Sequence, residues 1–328
     1  MHQDRKEVEA RLERFVRDRL FPSIYSNKHP LVISAWEAAR EPVPFYIAKE
    51  QDFKSVPIGW KFGRAWSTTW LRVSGEMPFI DHQEEFYKPE ILVDFGYNRS
   101  RSGFQAEALA YSPSGTPIKS IAPKNSWLPW PIESEYIEFY LEVAANPDVA
   151  REYSFSPTNF GEWDTSPEVK LYALNELCIA LLDERVWGLT QDVIAIQGLM
   201  NSLPDYSTRR HNLLRACENM LDIVSTVDVS QNVQDARNAL ATVLNEPASA
   251  SSHKVIATGH AHIDTAWLWP LRESIRKCAR TFSNVLSLMQ KHPKFVFSCS
   301  SAQHYVWMRD FYPEIYSGIL ERVKSGQW

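Results

Sequence analysis

The last quarter of the chain constrains the fold most. Residues 254–259 (KVIATG) form a short apolar run with β propensity. A strong helical pattern follows over 271–291, where Ile275, Cys278, Ala279, Phe282, Val285, Leu286 and Met289 trace one stripe. Pro270 suits its first turn. Phe295-Val296-Phe297-Ser298-Cys299 then reads as a second apolar strand. Ala302, Tyr305 and Val306 open another helical pattern, and Ile315, Ile319, Leu320 and Val323 continue one after Pro313. Strand, helix, strand, helix is the start of a parallel α/β unit, because parallel strands need a crossover between them. In a barrel of that kind, functional groups sit at the C-terminal ends of the strands.

At that end of the first strand stand His260-Ala261-His262-Ile263-Asp264, then Thr265-Ala266-Trp267-Leu268-Trp269-Pro270. Alternate side chains of an extended chain share a face. His260, His262 and Asp264 therefore point one way, and Ala261 and Ile263 the other. Two imidazoles and a carboxylate at a strand end make a metal-binding element. The other reading is a solvated polar loop, with histidines bonded to backbone. Three ligand groups on one face favour the metal.

Upstream, the chain divides into pieces. Val8, Leu12, Phe15, Val16 and Leu20 mark a short amphipathic helix. It begins a segment, residues 1–55, that is otherwise irregular. Residues 56–150 carry short β-prone runs between turn signals: 67–73, 91–95, 106–111 and 136–143, with a turn at Ser112-Pro113-Ser114-Gly115. Glu138 and Glu142 alternate with apolar residues, as in a half-buried strand. The spacing predicts an antiparallel β-sandwich. Residues 151–245 read as helical. Ser166-Pro167-Glu168 offers a start, Leu171, Leu174, Cys178, Leu181 and Leu182 an apolar face, and Pro204 a break. Two further helices carry Leu213 to Leu221 and Val233 to Val243. Residues 246–252 are small and polar and read as a linker; 253–328 begin the α/β domain. The fold class is thus multidomain α+β.

Composition excludes several classes. Lys and Arg number 35 against 40 Asp and Glu, a net charge of −5, which argues against nucleic acid as a partner. No run approaches a membrane span, and residues 1–7 lack the apolar core of a secretory signal, so the expected location is the cytoplasm. The four cysteines have no metal-finger spacing and read as small buried residues. Tryptophan is abundant, at 12 residues. Trp60, Trp66, Trp70, Trp127 and Trp130 fall in the sandwich, where they either fill its core or face a sugar; packing is the favoured reading.

The run Gly259-His260-Ala261-His262-Ile263-Asp264-Thr265-Ala266-Trp267-Leu268-Trp269-Pro270-Leu271-Arg272-Glu273 resembles the opening of the catalytic domain of class II alpha-mannosidases, glycoside hydrolase family 38. Lys277 to Ser283 and Ser298 to Gln303 extend the likeness. The module order is similar to the cytosolic and bacterial branch: β-rich part, helical segment, then a (β/α) barrel-like catalytic domain, of which only the first strand–helix units are here. The resemblance implies a retaining glycosidase that removes terminal alpha-mannosyl residues from mannose-containing oligosaccharides, with one divalent cation, zinc, per complete site. It implies His262 and Asp264 as metal ligands, His260 as a group orienting them, and Trp267 as the aromatic lining the sugar subsite. It also implies that the nucleophilic Asp and a final His ligand lie beyond Trp328, so that no catalytic carboxylate falls within these residues and they are expected to be inactive alone. Glu273 is read as a salt-bridging surface residue. The resemblance leaves room for a homo-oligomer of the full-length protein. An amidohydrolase-type metal hydrolase also places HxH at a first barrel strand, but WLWP is not its signature. A non-catalytic sugar-binding module on the Trp-rich sandwich is the other alternative.

Overall fold

The computed structural model describes residues 5–39, 41–78, 85–103, 105–131, 133–148, 168–225, 227–247, 251–267 and 269–328. The proposed cap at Ser166-Pro167 and the motif residue Leu268 lie outside them. The chain divides into two compact units. Among the described residues no helix is long and apolar enough to cross a membrane.

The first unit gathers residues 1–28, 79–90 and 180–255. The helix Arg5–Phe15 continues through one π-helical turn, Val16–Leu20. Three longer helices follow: Glu184–Ser202, Thr208–Val224 and Val233–Leu244. Their apolar stripes close one core, with Leu12, Leu20, Val193, Ile196, Cys217, Met220 and Leu240 among its most buried members. Polar ties hold the helices in register. Arg210 pairs with Glu9 at 2.7 Å and Arg237 with Asp192 at 2.7 Å.

The second unit takes residues 29–78, 91–179 and 256–328. Its main sheet has six antiparallel strands, in the order Lys54–Ser55, Val32–Glu37, Thr68–Glu76, Tyr136–Ala144, Glu107–Tyr111 and Pro117–Ile121. The central pair runs in full register from Tyr136 opposite Glu76 to Ala144 opposite Thr68. A second sheet places Tyr87–Asp94 between Glu176–Asp183 and Trp127–Pro129. Ile33, Leu71, Val73, Phe139, Leu141 and Val143 of one layer meet Ile91, Val93, Leu128, Leu177 and Ile179 of the other, so the sandwich is formed.

Two elements differ from the reading of the sequence. The run from Leu171 to Leu182 is strand, not helix: Tyr172–Ala173 and then Glu176–Asp183. Residues 177–183 are buried throughout, and a short apolar run buried on both faces carries no period to tell strand from helix. The helix starts only at Glu184, where the Asp183 carboxylate accepts the Arg185 and Val186 backbone N–H groups. The segment before residue 56 also contributes a core strand, Val32–Glu37, which pairs with Thr68–Glu76. Its β-branched and aromatic content, Val32-Ile33-Ser34-Ala35-Trp36, is the cue for it.

At the C-terminal end, Leu271–Lys291, Ala302–Phe311 and Pro313–Lys324 are the expected helices. The strands are shorter than expected. Gly259–His260 pairs with Phe297–Ser298, and the pair is parallel. Val255 and Ile256, expected in the first strand, are 83% and 84% exposed. With no ladder partner, β propensity alone does not make them a strand.

The helix Leu271–Lys291 packs on the outer face of the six-stranded sheet. Trp70, Leu109, Tyr111 and Tyr140 from the sheet share a core with Cys278, Ala279, Phe282, Val285 and Met289. That face is therefore covered. Glu142, on the strand read as half-buried, and Glu107, on the neighbouring strand, are both buried beneath the helix.

Candidate active site

The residues of the HAHID run keep their expected alternation only in part. Ala261 and Ile263 turn toward the core shared with the helix. On the other side His262 Nε2 and Asp264 Oδ1 lie 2.8 Å apart, the imidazole largely open and the carboxylate one-third exposed. His260 does not join them. Its Nδ1 contacts the Ser298 carbonyl at 2.8 Å across the parallel pair. The backbone-bonded alternative thus holds for His260, while His262 and Asp264 form a pair.

The loop after Asp264 is pinned by Ser274, one turn into the helix. Ser274 Oγ accepts the Ala266 backbone N–H at 3.1 Å and the Trp269 indole N–H at 3.0 Å. The same indole N–H reaches the Asp264 carbonyl at 3.1 Å. Ala266 sits at a left-handed φ of 50°, an uncommon conformation for a residue with a Cβ, where the chain turns from strand to helix. On the far side, Thr265 Oγ1 meets His304 Nε2 at 3.1 Å, and His304 Nδ1 lies 3.7 Å from Cys299 Sγ. Burial holds the His304 imidazole below its ordinary pKa, so it is neutral at pH 7.

His262 and Asp264 open onto a cleft of about 350 Å³. Trp269, Glu273 and Lys277 line it from the helical side, and Trp66, Glu107 and Asn146 from the sandwich. Trp267 is not among its walls. That indole is 49% exposed and packs edge-on against Trp269.

Beneath the cleft lies a buried ionic network that the sequence reading missed. Lys277 Nζ bonds Glu107, whose other oxygen takes Arg280 Nε at 2.9 Å. Arg280 also bonds Glu273, which accepts Asn146 Nδ2 at 2.8 Å and faces Arg276 at 3.4 Å. Arg276 Nε lies 3.0 Å from Glu142, whose second oxygen accepts the Tyr111 hydroxyl at 3.2 Å. Three carboxylates balance three cations. Burial by itself would raise the Glu107 carboxyl, but the Lys277 and Arg280 charges more than offset it and hold it below its ordinary value. Glu273 is 5% exposed. It salt-bridges, as expected, but it is a buried residue and not a surface one. The cue was its spacing: residues 273, 276 and 280 fall on one helix face, in a helix whose inner stripe touches the sandwich.

The donor set for a metal is thus two groups of the right chemistry, an imidazole nitrogen and a carboxylate oxygen, close enough to be neighbouring ligands of one ion. Among the described residues no group of three or more His, Cys, Asp or Glu could hold a metal. The four cysteines are free thiols; Cys178, Cys217 and Cys278 are buried and Cys299 partly so.

Comparison with known proteins matches both parts of this unit. The family model of the glycosyl hydrolases family 38 N-terminal domain matches residues 252–328. That of the alpha-mannosidase jelly roll domain matches residues 29–180. Alpha-mannosidase 2C1 of Homo sapiens is 26% identical over 332 residues, which cover 97% of this chain and 30% of the relative. Alpha-mannosidase 2C1 of Mus musculus is 27% identical over 297 residues, 88% of this chain and 26% of the relative. Alpha-mannosidase G of Dictyostelium discoideum is 24% identical over 320 residues, 96% of this chain and 28% of the relative. The chain spans about 30% of the length of the first of these relatives.

Proposed function

The chain matches the N-terminal portion of the alpha-mannosidases of glycoside hydrolase family 38, and from that premise we propose that it supplies part of a metal-dependent, retaining alpha-mannosidase site. The observation that carries this reading is the His262–Asp264 pair at 2.8 Å on the rim of the cleft, inside the segment matched to the hydrolase domain. The substrate class is a terminal alpha-mannosyl residue of an oligosaccharide.

His262 Nε2 and Asp264 Oδ1 would hold a divalent cation, zinc by the family resemblance, and an imidazole and a carboxylate are both ligands that zinc accepts. When bound, such an ion would supply a Lewis acid able to orient the hydroxyls of the sugar. The chain's own residues do the rest of the local work. Trp269 and Ser274 fix the loop that carries Asp264. The Glu273 and Lys277 side chains, tied into the ionic network, make a rigid polar wall. Trp66 and Trp269 give the cleft apolar surface, which suits the faces of a pyranose ring. Trp267, the aromatic first assigned to the subsite, belongs to the loop beside that wall. Glu273 is committed to Arg276, Arg280 and Asn146, so it does not serve as nucleophile or general acid. A retaining mechanism needs two free carboxyl groups about 5–5.5 Å apart; among the described carboxylates lining the cleft, Glu107 and Glu273 are both paired in the ionic network, which leaves Asp264.

Three measurements test this. Calorimetry with zinc present should show methyl alpha-mannoside binding in preference to the glucoside, and losing its binding on Asp264→Ala. Equal binding of both sugars, or none, would overturn the mannoside assignment. Zinc alone should bind weakly; tight stoichiometric binding abolished by His262→Ala would show that two protein ligands suffice. An aryl alpha-mannoside incubated with the 328-residue chain should release no product, and turnover would refute the account of the carboxylates.

A further inference from the structure

The charged groups that line the cleft are engaged with one another or with the helix beneath. Glu107 pairs with Lys277 and Arg280, Glu273 with Arg276 and Arg280, and Asp264 with His262. One neutral side chain on the sandwich side is engaged at one end only. Asn146, partly buried, lines the cleft and donates from Nδ2 to Glu273 Oε1 at 2.8 Å. A carboxylate only accepts, so this bond fixes which branch of the amide faces Glu273. The oxygen on the other branch, Oδ1, has no hydrogen-bond partner among the described residues. It is open to solvent, whereas the indole nitrogen of Trp66, on the same wall, is sealed.

The backbone that carries Asn146 is held independently of this amide. The Ala145 N–H donates to the Ser67 carbonyl at 3.0 Å, and the Ala145 carbonyl accepts the Trp66 N–H at 2.9 Å. Gly63 packs so close that a Cβ there would sit 2.7 Å from that of Ala145. The Asn146 carbonyl accepts the Tyr172 hydroxyl. Backbone and amide are thus both fixed, and Oδ1 stands at a set place in the cleft before any ligand arrives. Behind it, Glu107, Glu142 and Glu273 are balanced by Arg276, Lys277 and Arg280. The wall carries no net charge, which suits a neutral ligand. An amide oxygen accepts, and a sugar hydroxyl donates.

We propose that Asn146 is a carbohydrate-binding residue of the cleft, its Oδ1 accepting a hydrogen bond from one hydroxyl of the bound mannoside. The proposal rests on the mannoside reading above and adds to it a ligand contact from the segment matched to the jelly roll. The ionic network acquires a second role: through Glu273 it aims the amide. A fixed acceptor loses little freedom on binding and selects the hydroxyl whose orientation meets it.

The test is a cycle of residue against hydroxyl. The 328-residue chain with zinc, and its Asn146→Ala variant, are titrated by calorimetry with methyl alpha-mannoside and with its 2-, 3-, 4- and 6-deoxy analogues. In the parent, one deoxy analogue should bind about three- to tenfold more weakly for the loss of the Asn146 hydrogen bond. In Asn146→Ala that same hydroxyl should no longer matter, while the penalties of the other three analogues stay as they are in the parent. A merely structural role for Asn146 would weaken all five ligands alike and leave every penalty intact. If the parent binds the mannoside, loses it on Asp264→Ala, and shows no hydroxyl whose penalty depends on Asn146, the proposal falls and the mannoside reading stands. If the parent binds no mannoside, both fall. Should Asn146→Ala not fold, the parent decides. Ala145-Asn146 is the one Ala-Asn pair in the sequence, so 13C-alanine with 15N-asparagine marks the Asn146 amide alone. Saturating mannoside should shift that resonance more than one of the deoxy analogues does; equal shifts with all five would overturn the contact.

Discussion

At the scale of single residues, the decisive group is Glu107. It is a carboxylate at 3% exposure, bonded to Lys277 and Arg280. Removing one member of a buried, paired set leaves the others uncompensated, which costs roughly 3–5 kcal/mol. Glu107→Gln should therefore lower stability by about that amount at neutral pH, read by urea denaturation. The pH dependence has a definite sign. The folded carboxyl lies below its ordinary value of 4.5, so the unfolded chain takes up the proton first. The stabilisation is complete above pH 4.5 and fades as pH falls through the folded value. The acid limb of the stability profile should be shallower in Glu107→Gln than in the parent; identical limbs would show that Glu107 is not the group titrating. His304 acts in the same direction at higher pH. Kept neutral by burial, it draws stability down as pH falls below 6.5. Little of this was legible in the sequence. Glu142 alternates with apolar neighbours as a solvent-facing residue would, and only the helix laid over that face turns it inward. The His262–Asp264 pair was legible because its geometry is local: the two residues stand two apart on one extended segment. His260, two residues the other way, was diverted by the Ser298 carbonyl of a strand distant in sequence.

At the scale of elements, the helix Leu271–Lys291 carries most of the architecture. Its stripe was readable as a 3.6-residue period, and its bounds agree with the expectation. What the period does not reveal is the partner. Phe282 is fully buried, touches Phe297, Tyr305 and Trp328, and shares a core with the outer face of the six-stranded sheet. Phe282→Ala should cost about 3–5 kcal/mol, as large cavities in cores do. The loss should appear in the thermal melt. A change below about 1 kcal/mol would mean the site collapses to fill the space. The strand Glu176–Asp183 shows the opposite case. Its buried run is ambiguous by itself, and the sequence signal that settles it is the Asp183 cap, which marks where helix begins.

At the scale of the molecule, each unit has a core of its own. The helical unit depends on one cluster in which Leu240 is wholly buried. Leu240→Ala should destabilise it by about 2–5 kcal/mol. Hydrogen exchange should then show protection falling together across Glu184–Ser202, Thr208–Val224 and Val233–Leu244. Loss confined to Val233–Leu244 would show that the helices do not open as one body. In the other unit, the two matched segments meet through charge. Arg276 and Arg280 come from one segment, and Glu107 and Glu142 from the other. An exchange of jelly rolls between relatives by recombination would have to bring acidic residues to both positions, or leave Arg276 and Arg280 to share the single carboxylate of Glu273. The charges of the two matched segments are thereby coupled, so that neither could be replaced alone without unpairing the other.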